Sequence, residues 1–173
     1  MIYAEPVYDL DTLAKVNLHI HTHYSHCAKR EMLVPDIIRA AEKAGLTAIA
    51  LTDHFNDADS DEAYMEQIDT LKNEAAGTGT DLKILFGFEL SAYGIGKYRE
   101  KIETNRALDY RLYSCNHFQQ AYWEHPEDRS PRGYAEFSLA IVNALLGSGR
   151  ADCVAHPLIG KYITCFADRT EVS

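Results

Sequence analysis

The sequence predicts an α/β fold in which βαβ units surround a parallel sheet or barrel. Two observations lead there. Short β-rich apolar runs alternate with segments of helical periodicity, and no repeat, linker or low-complexity tract separates them. The chain has 173 residues, 46% of them hydrophobic and 25% charged, which suits one domain with a sizeable core and is crowded for two. Residues 1–173 are therefore expected to form a single domain.

Each element follows from a local pattern. "AKVNLHI" alternates apolar Val16, Leu18 and Ile20 with polar Asn17, His19 and His21, the period of a strand. A helix is expected over 34–44, with Pro35 in its first turn, Ile37, Ile38 and Ala41 on one face, and Gly45 ending it. "LTAIALT" is a short buried strand. A second helix, about 61–75, carries Tyr64, Ile68 and Leu71 along one stripe and is broken by "GTGT". "LKILFGFEL" reads as a third strand and "LDYRLYSCNHF" as a fourth. Tyr134, Phe137, Ile141 and Leu145 recur at helical spacing over 134–146. "ADCVAHP" is a fifth strand stopped by Pro157, and "KYITCF" is a candidate sixth. Cys115 and Cys153 fall within these strands, where buried apolar packing is expected.

Polar residues gather at one place in this order. His19 and His21 end the first strand, Asp53 and His54 the second, Glu89 the third, His117 the fourth and His156 the fifth. In a parallel α/β barrel the C-terminal strand ends share one rim, where such folds carry their chemistry. Alternate residues of a strand point to one face, so His19 and His21 are roughly 6 to 7 Å apart along it. Imidazoles so placed can converge on a shared ion. Several histidines and one carboxylate suit zinc, manganese or iron better than calcium or magnesium, which prefer all-oxygen surroundings. Glu89, with two oxygens, can bridge two ions. His23 lies past the strand end, and His125 is expected on a surface loop.

Composition narrows the partners. A net charge of -9 argues against a nucleic-acid partner, because duplex affinity comes largely from Lys and Arg neutralising phosphates. A small phosphorylated substrate held through metal ions remains compatible with an acidic chain. No apolar stretch approaches a membrane span, and the N-terminus lacks the basic start and apolar run of a signal peptide. Four widely spaced cysteines without a CxxC pair point to a reduced, cytoplasmic protein.

The series "HIHTHYS", "LTDH", "GFE", "NHF" and "AHP", spanning about residues 17–157, resembles the polymerase and histidinol phosphatase (PHP) superfamily. The resemblance implies a distorted (β/α)7 TIM-like barrel, apparently shortened at its C-terminal end here, that hydrolyses phosphoesters with two or three divalent metal ions. It implies that His19, His21 and Glu89 hold a first ion, that Glu89, His117 and His156 surround a second, and that His54 belongs to a third. Asp53 then becomes a catalytic carboxylate, or one that orients ligands, and Glu89 is counted with the catalytic groups. Family members usually carry Asp or His six residues after the second histidine of HxH. Here Cys27 occupies that position beside His26, and His26 is the preferred ligand. The family's late Asp-x-His motif is absent: after His156 the chain offers Asp168 with no following histidine.

The expected activity is metal-assisted hydrolysis of a phosphomonoester or nucleotide, with Lys29 and Arg30 as candidate phosphate contacts. Alternatives are an exonuclease module acting on nucleic-acid ends, an amidohydrolase, and a degenerate metal-binding domain without catalysis. An open barrel leaves strand edges to cover, which points to a homo-oligomer or an extra covering segment.

Overall fold

Parallel strands without long intervening loops need helical crossovers, and the computed structural model, which describes residues 9–55, 60–157 and 160–163, shows them. After a single helical turn, α1 (Leu10–Leu13), strand β1 (Val16–Ile20) leads into helix α2 (Val34–Lys43) and strand β2 (Ala48–His54). Helix α3 (Asp61–Ala76) then leads to the long strand β3 (Lys83–Gly94). A hairpin joins β3 to β4 (Lys97–Tyr98), and the short helix α4 (Ile102–Ala107) leads to β5 (Tyr110–Ser114). Helix α5 (Pro131–Ser148), strand β6 (Cys153–Ala155) and a 3-10 turn (Gly160–Tyr162) complete the described residues.

Helix ends are set by their sequences. The Ser60 and Ser130 hydroxyls accept from the backbone N–H groups of Ala63 and Gly133, capping α3 and α5. Pro35 and Pro131 stand in the first turns of α2 and α5, where a missing N–H costs nothing. Gly149 closes α5 with φ +68°, a left-handed conformation that glycine adopts without a Cβ clash.

The strands form one sheet in the order β1-β2-β3-β5-β6, all parallel, with β4 antiparallel to β3. Sequential order with helical crossovers curls the sheet into a half-barrel, an α/β architecture compatible with a partial TIM-like barrel. Among the described residues β1 and β6 are its outer strands.

The convex face carries the main core. Ile20, Ile49 and Leu51 pack against Val34, Ile37, Ile38 and Ala41 of α2 and Leu71 and Ala75 of α3. Phe88, Leu90 and Tyr113 pack against Tyr64 and Ile68 of α3 and Ile141 and Leu145 of α5. The concave face is lined deeper down by Leu18, Ala50, Leu85, Tyr110, Leu112 and Ala155. Gly87 lies on that concave side, where a Cβ would stand 1.8 Å from the Tyr110 carbonyl oxygen, so β3 and β5 approach closely only with glycine there.

Several expectations need correction. The simple alternation of β1 fails, because its register against β2 slips between Asn17 and Ile20. This irregularity puts Leu18 among the concave residues and Ile20 among the convex ones, although two-residue spacing alone keeps them on one face. The fourth strand ends at Ser114, so His117 stands in the loop beyond it. Cys153 is exposed rather than buried, whereas Cys115 is buried as expected. Within "KYITCF", Lys161 and Tyr162 belong to the 3-10 turn rather than a strand, and the remainder beyond Ile163 lies outside the described residues, as does Asp168. The β3–β4 hairpin and α4 were absent from the periodicity reading.

Candidate metal centre

The centre is built around one buried carboxylate. Glu89 faces the concave mouth from the middle strand and is 2% exposed. His54 Nδ1, His21 Nε2 and His19 Nε2 lie 3.1, 3.3 and 3.4 Å from its Oε2. His156 Nε2 and His117 Nε2 lie 3.0 and 3.5 Å from its Oε1. Five imidazoles from four further segments thus surround one side chain. They share a cavity of about 320 Å³ with Cys27 and Tyr162, whose ring meets His117 edge-on at 4.9 Å.

Neighbouring hydrogen bonds decide which nitrogens face inward. The Ser25 hydroxyl has one proton and gives it to Asp53 at 2.6 Å, while accepting from the backbone N–H of His54 at 3.1 Å. Its 3.1 Å contact with His21 Nδ1 is therefore donated by the imidazole, which leaves the His21 Nε2 lone pair aimed at Glu89 and His19. Asn116 works similarly on His156. Its amide Nδ2 donates to the His156 carbonyl at 2.9 Å, so the opposite end, Oδ1, accepts from His156 Nδ1 at 3.2 Å and leaves Nε2 as an acceptor. That same residue is held at φ +32°, a conformation side-chain-bearing residues rarely adopt, and Asn116 clamps both its ring and its backbone.

Of the two roles open to Asp53, its contacts match the one that orients ligands. Buried at 2% exposure, it accepts from Thr22 N at 2.7 Å, Thr22 Oγ1 at 2.6 Å, Ser25 Oγ at 2.6 Å and Gln67 Nε2 at 3.2 Å. Its oxygens are occupied in fixing the loop after β1 and, through Ser25, the orientation of His21.

These groups fit metal ions. Inward-facing acceptor nitrogens converge on a carboxylate that is itself an acceptor, and the buried Glu89 Oε1 has no hydrogen-bond partner. Lone pairs so crowded repel unless a cation lies among them. Atoms that each bind one ion at about 2.1 Å are separated by about 3.0 to 3.4 Å, close to the spacings found here. Electrostatics agree. Burial pushes His117 down to about 4 and lowers His54, so both are neutral at pH 7, the form in which an imidazole can bind a metal ion.

Among the described residues the potential ligand atoms fall into three overlapping sets: His19, His21 and Glu89; His54, Glu89 and His117; and His21, Cys27 and His54. The first is the set that the family resemblance assigns to one ion. His54 enters two sets, and His156 reaches Glu89 from outside all three. At the ambiguous position the structure sets Cys27, not His26, beside His21 and His54, although both residues are exposed. The turn that begins at Ser25 explains this, since the Ala28 N–H closes on the Ser25 carbonyl and fixes the path of the two residues between them. Lys29 and Arg30 are exposed and line no part of the cavity. His23 is half-buried and turned against Tyr24, and His125 is exposed with its Nδ1 2.8 Å from the Tyr134 hydroxyl.

Ser25, Asn116 and Tyr162 were missed from the sequence. Asn116 stood in the quoted "NHF", and its position one residue before a candidate ligand was the available signal.

The family model described as PHP domain matches residues 17–157. No curated protein matches the chain.

Proposed function

The chain belongs to the PHP domain family, whose members are metal-dependent hydrolases, and from that premise we propose that it is a phosphoesterase acting on a small phosphorylated substrate, a phosphomonoester or nucleotide. The observation that carries this reading is Glu89 ringed by five imidazoles with no hydrogen-bond partner for its Oε1. When bound, two or three zinc, manganese or iron ions supply Lewis acidity, acidifying water and offsetting negative charge on phosphoryl oxygens.

The chain's own residues do the rest. Glu89 reaches two groups of ligands and keeps them a fixed distance apart. His19, His21, His54, His117 and His156 hold the remaining positions, with Cys27 as a softer ligand beside His21 and His54. Asp53 through Ser25, and Asn116 directly, hold rings in the tautomer that ligation requires. In this reading the half-barrel is part of a distorted (β/α)7 barrel. The outer edges of β1 and β6 support a homo-oligomer or a covering segment, and the free thiols of Cys27, Cys115 and Cys153 support a reducing, cytoplasmic setting. No helix among the described residues is long and apolar enough to cross a membrane.

The test is metal content and turnover together. Protein purified without chelators is expected to hold two or more transition-metal equivalents per chain and to release phosphate from p-nitrophenyl phosphate or a nucleotide panel. Full metal occupancy with no phosphate released from any ester, under zinc, manganese or iron, sinks the phosphoesterase reading in favour of a non-catalytic metal domain.

A further inference from the structure

We propose that Arg99 is the phosphate-holding residue of this site, its guanidinium forking onto the phosphoryl oxygens of the substrate at the rim of the metal centre. The inference rests on the phosphoesterase reading and adds to it the group that recognises the substrate's anion.

Strand geometry places Arg99 at the mouth. Ser91 follows Glu89 by two positions in β3 and shares its face, roughly 6 to 7 Å further toward the rim. The Arg99 N–H donates to the Ser91 carbonyl at 3.3 Å where β4 turns back along β3, so the two residues are cross-strand neighbours. The next pair down, Ala92 and Tyr98, faces the convex core, which puts Ser91 and Arg99 on the concave side. Ser91 is also in register with Ser114, whose hydroxyl lies 3.0 Å from His117 Nδ1.

The side chain is prepared for a ligand. The Arg99 guanidinium carbon lies 4.7 Å from the centre of the Tyr122 ring, and the Tyr122 hydroxyl is 3.1 Å from Ser91 Oγ. Stacking of this kind holds the planar group in one orientation while leaving its edge free to bind. Arg39, Arg111, Arg132 and Arg150 each pair with a carboxylate. Arg99 pairs with none among the described residues, and its buried Nε has no hydrogen-bond partner. Arg30, Arg106 and Arg129 also have no carboxylate partner among the described residues, but they are exposed to water, whereas Arg99 is half-buried. A phosphate matches its fork in shape and charge, with two parallel N–H···O contacts. The hairpin thus gives the site a fixed cation, a role Lys29 and Arg30 do not fill from their exposed loop.

The experiment measures inorganic phosphate binding by calorimetry to zinc-loaded wild type, Arg99→Gln and Arg99→Lys, alongside KM for p-nitrophenyl phosphate. Arg99→Gln is expected to raise both the phosphate Kd and KM at least tenfold with zinc content unchanged. Arg99→Lys, which keeps charge but loses the fork, should fall between. A Kd for Arg99→Gln within twofold of wild type, or no phosphate binding by wild type, overturns the inference. If the glutamine variant does not melt cooperatively, the lysine variant decides, and a phosphate Kd unchanged from wild type overturns the inference equally. Phosphate binding that weakens in the variants of a protein that hydrolyses no ester leaves the inference standing and rejects the hydrolase reading. Turnover that persists with unchanged KM in Arg99→Gln does the reverse.

Discussion

The two faces of β3 divide the molecule's work between adjacent residues. On the convex face Phe88, Leu90 and Ala92 are fully buried, and Phe88 joins Phe55 and Tyr64 in an aromatic cluster with ring centres 4.1 to 5.6 Å apart. On the concave face Gly87, Glu89 and Ser91 supply a close backbone approach, a convergent carboxylate and a rim hydroxyl. One face gains free energy by excluding water. The other gathers groups that repel one another without a bound cation. The pleat separates them by a single residue, so stability and ligand binding can be altered independently.

The largest expected effect tests that independence on the concave side. Glu89→Gln removes the charge common to two ligand sets, and metal content measured by mass spectrometry should fall below one equivalent per chain while the fold survives. Next along the strand, Leu90→Ala should cost about 2 to 5 kcal/mol through the cavity it leaves, a drop in melting temperature of about 5 to 15 °C, with metal per folded chain unchanged. Loss of metal from Leu90→Ala as complete as from Glu89→Gln would show that the faces are not separable.

Acid should weaken the concave face first. His117 is held near about 4 and His54 is lowered by burial, so between the ordinary histidine value and pH 4 the unfolded chain binds more protons than the folded one. Stability of the metal-free protein is therefore expected to fall as pH drops from about 6.5 to 4, by on the order of 2 to 3 kcal/mol from His117. A melting temperature flat across that window contradicts buried neutral imidazoles. Smaller effects refine the comparison. Asn116→Ala frees the His156 ring and should weaken uptake of one ion by about 10- to 100-fold in chelator competition. Least is expected at the loop: Cys27→Ser should lower zinc affinity modestly, and His26→Ala should leave it within twofold of wild type.

Much of this division was legible in advance. Periods of two and 3.6 located five of the strands and the three long helices, and the expected strand ends picked out His19, His21, His54, Glu89, His117 and His156, although Glu89 lies inside β3 and His117 beyond β5. What escaped detection depends on contacts between distant segments. The slip in β1 arises only against β2, so nothing in "VNLHI" announces it. The choice of Cys27 over His26 rests on how Asp53, Ser25 and Thr22 fold the loop, across a separation of about thirty residues. Arg99 looked like one charge among many until the hairpin returned it beside Ser91.

The sequence by itself determined the α/β class, the order of the parallel strands and long helices, and the family, because hydrophobic period and motif order are local properties of the chain. The tertiary structure alone decided which atoms meet: the tautomers of His21 and His156, the occupation of Asp53 in holding a loop, and the stacking of Arg99 on Tyr122. Hydrogen bonds between strand ends set these, and such bonds exist only once packing of the convex face has brought those ends together.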